Sequence, residues 1–307
     1  MFLALTFVLA WMPALLLRHV WQGGAGPWIT RLLAASALYA ATMGWQPLLG
    51  ALVARRFFER HDPLDAGVRP ASPRFALLGS LAPMALVLAS VIVSWIAGLF
   101  GAPVPDSLRS GAEPELANVP PSLGLGLLLL LALLLTIFIL YVQSFSEEYG
   151  WRGYFLSRLM RELGPRRGLL LHGAIWGLWY APPFLLATDQ LPLGALRCVG
   201  FIATCTLLGT LLGWLRLASR SIMPAVIANA VLTVAGGLPF ILQNVDVGLR
   251  GTTYGPIGWL PLAALVALVM FGRGRAAVAV PELQRVAPAI SVFSLLSGPS
   301  SSRNDLN

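Results

Sequence analysis

The stretch SFSEEYGWRGYF, residues 144–155, places Glu147 and Glu148 side by side, with Arg152 four residues beyond the second. On a helix Glu148 and Arg152 meet at the i,i+4 spacing with the acid N-terminal, the favourable order for an ion pair. Glu147 is rotated by about 100° from Glu148, and its own i+4 neighbour is Trp151. A carboxylate among apolar neighbours and without a basic partner is a stronger base than one in water. Such a group can take a proton from a water molecule near neutral pH. Glu147 and Glu148 are therefore the candidate catalytic carboxylates, Glu147 as general base, with Arg152 as their support. A second stretch, LLLHGAIWGLWYAPPFLL at residues 169–186, repeats His172, Trp176 and Tyr180 every four residues on one helical face. Pro182 and Pro183 then break that helix. Asn229 lies inside the apolar run SIMPAVIANAVLTV, residues 221–234. The bland counterparts of these readings are a helix-end ion pair and an aromatic packing face.

A zinc centre needs three or four N, O or S ligands and usually includes histidine. Only His172 lies near membrane depth, and it is about 12 Å of helix rise from Tyr180. His19 and His61 fall in loops. No metal and no cofactor is expected. Cys198 and Cys205 stand seven residues apart in one apolar segment, too far along a helix to bridge, and read as small buried residues.

The elements that hold these residues must cross a bilayer. The chain of 307 residues is 57% hydrophobic and 11% charged, where a soluble domain carries about 25% charged residues. Mean hydropathy is +0.76. Apolar runs near 2–17, 32–54, 75–101, 123–147, 168–187, 195–215, 222–243 and 256–272 predict an all-α polytopic transmembrane bundle of about eight helices. The first run lacks a basic lead and a small-residue cleavage site, and reads as a retained helix. The chain divides into about three N-terminal transmembrane helices at 1–122, a core at 123–245, a last span at 246–272, and a tail at 273–307 whose end is expected to be disordered.

All 21 basic residues are arginines, and the net charge is +8. The loop 55–74 holds Arg55, Arg56, Arg60, Arg69 and Arg74, and the segment 148–167 holds Arg152, Arg158, Arg161, Arg166 and Arg167. The link 216–221 adds Arg216 and Arg220, while the alternate loops hold few. The positive-inside rule then places both termini in the cytoplasm. No basic cluster is interleaved with aromatics, which excludes nucleic acid as a partner.

EEYGWR at Glu147–Arg152, followed by Gly153-Tyr154, and WGLWYAPP about 30 residues on, resemble the CPBP family of intramembrane proteases. That family includes CAAX prenyl endopeptidases and bacteriocin-processing enzymes and is also called Abi. The resemblance covers roughly residues 140–235 and is to bacterial members, which implies the cytoplasmic membrane of a bacterium. The family's first motif is EExxxR, and it is complete here. The second is FxxxH or WxxxH, and here Trp176 is followed by Tyr180 where the histidine is expected. The third is HxxxN, and here PAVIANAVLT places Asn229 at the histidine and Thr233 at the asparagine. The resemblance implies that motif glutamate and histidine activate a water, which attacks a peptide carbonyl, while the third-motif pair stabilises the oxyanion. Carried onto this chain, Glu147 remains as base, Asn229 as oxyanion donor, and Tyr180, Trp176, His172 and Thr233 as orienting groups.

Three function classes stay open at this point. One is an intramembrane endopeptidase acting on a membrane-associated protein or peptide. Another is a non-catalytic relative that binds a membrane peptide or partner as scaffold or immunity protein. The third is a transporter or channel using the glutamates, against which stands the lack of an inverted repeat.

Overall fold

The computed structural model describes residues 1–16, 44–58, 66–96, 130, 134, 139–186, 191–242 and 255–272. Residues 32–43 of the expected second span, most of the fourth, the loop 102–122 and the tail after 272 lie outside these residues. The described elements are helical throughout, and no strand occurs among them. Helix α1 is Phe2–Leu16, α2 is Gln46–Phe58 and α3 is Pro73–Ile96. Helix α4 runs through four consecutive segments: π-helical Ile139–Ser144, α-helical Phe145–Glu148, π-helical Tyr149–Phe155 and α-helical Leu156–Leu163. Then follow α5, Pro165–Trp179, α6, Ala181–Leu186, α7, Leu191–Ser219, α8, Met223–Leu242, and α9, Pro256–Phe271.

Local chemistry sets several of these boundaries. Gly164 at φ 76° turns the chain between α4 and α5, in a region of backbone space that disfavours a side chain. Pro165 and Pro256 open α5 and α9 at positions where a missing N–H costs nothing. The expected break at Pro182 and Pro183 falls slightly earlier. Tyr180 leaves the helix at φ −81°, ψ 3°, and both prolines belong to the first turn of α6. Proline disfavours helical geometry in the residue before it and has no N–H to donate to an intrahelical bond, so the distortion runs upstream.

Two of the described helices are long and apolar enough to cross a membrane, over Pro73–Ser90 and Pro192–Ser219. Shorter apolar helices cover Phe2–Leu15, Met223–Val234 and Pro256–Phe271. Leu81, Leu88, Leu196 and Leu260 are exposed on their outer faces, as suits lipid as the solvent.

The most extensive packing is between α5 and α7. A Cβ on Gly173 would lie 2.7 Å from the Cys205 carbonyl oxygen, and one on Gly209 would lie 2.7 Å from the Gly173 Cα. Backbone therefore meets backbone, as small residues allow in membrane helices. Helix α3 packs along α8, and α2 packs against α1 and the second π segment of α4. Helix α1 is tied in by exchanged indole bonds: Trp11 Nε1 donates to the Trp179 carbonyl at 3.1 Å, and Trp179 Nε1 donates to the Thr6 carbonyl at 3.2 Å.

Candidate functional site

Glu147 and Glu148 occupy the short α-helical segment between the two π segments of α4. A π turn rotates side chains relative to a regular helix and recurs at functional sites. Here the arrangement turns both carboxylates into the protein, and neither has any solvent exposure. Gly150 allows the helix to sit directly against Pro47 of α2, and Gly153 does the same against Ala66.

Glu147 accepts four hydrogen bonds from three helices. Tyr180 donates its hydroxyl to Oε1 at 2.7 Å, and Gln143 donates Nε2 to the same oxygen at 3.1 Å. Trp176 donates Nε1 to Oε2 at 3.3 Å, and Asn229 donates Nδ2 to that oxygen at 3.4 Å. Trp176 and Tyr180 come from one face of α5, Gln143 lies one turn earlier in α4, and Asn229 enters from α8. All four donors are buried. A carboxylate offers about four lone-pair sites, so every one of them is filled.

Glu148 forms the expected pair with Arg152, Oε1 to Nη1 at 2.8 Å, with both side chains fully buried. The guanidinium also lies over the Trp176 ring, 4.0 Å from its centroid, which shields the charge on a second side. Glu148 Oε2 and Arg152 Nε and Nη2 have no hydrogen-bond partner of ordinary geometry among the described residues.

The structure thus brings together Glu147, Glu148, Arg152, Trp176, Tyr180 and Asn229. It does not bring His172 or Thr233 to the carboxylates. His172 is buried against the rings of Trp151 and Phe155, each at 6.1 Å between centroids. Thr233 donates its hydroxyl back to the Asn229 carbonyl at 2.9 Å, which steadies the helix turn that carries Asn229. Gln143 is the contributor that sequence reasoning passes over. Its signal is a lone amide four residues before Glu147, at the end of a leucine-rich run.

No group of three or more His, Cys, Asp or Glu side chains able to hold a metal occurs among the described residues. Both Glu147 oxygens face N–H and O–H donors, the arrangement that suits an anion and that a bound cation would have to displace.

Residues 126–235 match the sequence model of a family described as Type II CAAX prenyl endopeptidase Rce1-like. No curated protein matches the chain. The matched segment takes in Gln143, the glutamate pair, Arg152, Trp176, Tyr180 and Asn229, and so spans the whole of the buried cluster. Over these residues the chain is similar to the type II CAAX prenyl endopeptidases of the CPBP family.

Proposed function

We propose that the protein is an intramembrane endopeptidase in which Glu147 activates a water molecule against a peptide bond of a membrane-associated substrate. The observation that carries this reading is the convergence of Trp176 and Tyr180 of the second motif and Asn229 of the third on one carboxylate of the first. Asn229 makes the longest of the four bonds to Glu147, at 3.4 Å, and is the donor most easily displaced. A water entering there donates to Oε2, gives up its proton to the carboxylate, and attacks the carbonyl carbon. The released Asn229 amide then donates to the oxyanion, and as the adduct collapses the C–N bond breaks and the amine leaves with the proton that Glu147 had taken. Tyr180 and Gln143 hold Oε1 throughout. Trp176 holds Oε2 by its ring edge while its face carries Arg152. In this reading the chain is multi-pass, with about eight spans, in a bacterial cytoplasmic membrane with both termini inside, as its arginine-rich loops favour.

A second reading rests on the filled lone pairs of Glu147 and on Tyr180 and Asn229 standing where the family has histidines. In it the cluster is a permanent clasp of α4, α5 and α8, and the protein binds a membrane peptide without cutting it. Wild type and Glu147→Gln, purified in detergent or liposomes, are compared against prenylated and unprenylated membrane peptides, with and without a chelator. Turnover that Glu147→Gln abolishes and the chelator spares is the expected result. Peptide binding without turnover by a stable wild type would overturn the endopeptidase reading in favour of the clasp.

A further inference from the structure

A second feature lies away from the glutamates, where α3, α7, α8 and α9 leave a cavity of about 270 Å³ between them. Its walls are apolar side chains, among them Leu78, Ala82 and Leu86 of α3, Leu212 of α7, Ala228 of α8 and Leu265 of α9. Leu78, Ala82 and Leu86 recur every four residues, so they form one stripe along α3. The next member of that stripe, one turn toward the start of the helix, is Arg74. Leu78 and Ala82 are exposed, so the cavity opens to the surroundings along this stripe.

The end of the cavity where Arg74 lies is strongly basic. The Ile222 amide donates to the Gly67 carbonyl at 2.9 Å, and the Ser221 hydroxyl to the Arg69 carbonyl at 2.5 Å. A Cβ on Gly79 would fall 2.5 Å from the Pro224 carbonyl oxygen. These contacts set the start of α3 beside the turn between α7 and α8. That junction carries Arg69, Arg74, Arg216 and Arg220, and no acidic residue occurs within 66–74 or 216–224. Arg220 is exposed and holds φ 55°, and it is the one positive-φ residue other than glycine among the described residues. Left-handed backbone at a long side chain costs free energy and persists where the surrounding contacts impose it. Here the bonds of Ser219 and Ser221 within the turn do so.

An apolar slot, open along one side and ending at a cluster of arginines with no acid in the described segments 66–74 and 216–224, has the two-part chemistry of an anionic lipid. We propose that this cavity holds an acyl chain of an anionic phospholipid, whose phosphate is met by Arg74 and Arg220 at the basic end. The occupant is a bilayer lipid of the leaflet on that side, and the site is separate from the glutamate cluster.

The test uses the full chain in detergent, with thermal unfolding and native mass spectrometry as readouts. Phosphatidylglycerol, phosphatidylcholine of the same chains and soluble glycerol 3-phosphate are added in parallel. Phosphatidylglycerol is expected to raise Tm and to remain bound in the spectra, where the other two do neither to the same degree. Arg74→Gln with Arg220→Gln is expected to weaken the anionic preference by about 30-fold, from about 1 kcal/mol for each arginine near a lipid surface. The Arg→Lys pair retains most of it, and Ala82→Trp, which fills the slot, abolishes lipid retention with the arginines in place. Equal stabilisation by the two lipids in wild type overturns the proposal, whatever the variants do. So does equal stabilisation by glycerol 3-phosphate, which would mark a phosphate site with no place for a chain.

Discussion

Arg152 is enclosed by Glu148 on one side and the Trp176 ring on the other, with no exposed surface of its own. Removing one member of such a pair leaves a buried charge with nothing to answer it. Arg152→Met is expected to destabilise the protein by about 3–5 kcal/mol. Glu148→Leu combined with Arg152→Met is expected to recover most of that loss, because the uncompensated charge is gone. Unfolding in a denaturing detergent series compares the two, and a double variant no more stable than the single one would contradict the pairing. This pair was legible in the sequence, since both members share one helix at i,i+4. The surroundings of Glu147 were less so. Its bonds to Trp176, Tyr180 and Asn229 span 29, 33 and 82 residues. Motif order says that these residues belong together, but only folding shows that all of them are donors to one carboxylate. Gln143 is as local as Arg152, yet an uncharged side chain at the end of a leucine run gives little signal next to two glutamates. His172 misled for the opposite reason. Its helical face is that of Trp176, but one turn moves it out of the polar cluster and onto the rings of Trp151 and Phe155.

Helices α5 and α7 depend on the absence of side chains where they cross. Gly173→Val would drive a β-branched side chain into the Cys205 carbonyl and Thr206 Cα, both 2.7 Å from a Cβ at that position. Separation of the two helices is expected to cost about 1–3 kcal/mol or more and to pull Trp176 and Tyr180 away from Glu147. Gly200→Ala on α7 supplies the control. Its Cβ would meet only Trp259 Cζ2 at 3.8 Å, and helix propensity favours alanine there by about 1 kcal/mol. Thermal unfolding of the two variants should move in opposite directions. Hydropathy located the apolar helices that can be compared, because a long apolar run has few other uses in a chain of this composition. It could not reveal the π segments of α4. Their extra residue per turn is set by how α4 seats against α2 and α8, and the sequence EEYGWRG satisfies an ordinary helix equally well.

The distribution of arginines gives the whole molecule a direction. In the proposed orientation the loop before α3 and the turn after α7 face the cytoplasm, on the same side as Arg74 and Arg220. A cysteine placed at exposed Ser72 is expected to react with a membrane-impermeant maleimide in inside-out vesicles and not in intact cells. Labelling from outside would reverse the topology. The native Cys198 and Cys205 are buried and leave the background low. The fastening of α1 bears on how this arrangement comes into being. Trp11 reaches for a carbonyl 168 residues further along the chain, and Thr6 receives an indole 173 residues away. At about 5–20 residues per second of synthesis, α1 waits roughly ten to thirty seconds before its partners exist. During that interval only its packing against α2 can form, and the two indole bonds that fasten it to Trp179 close once α5 has left the ribosome.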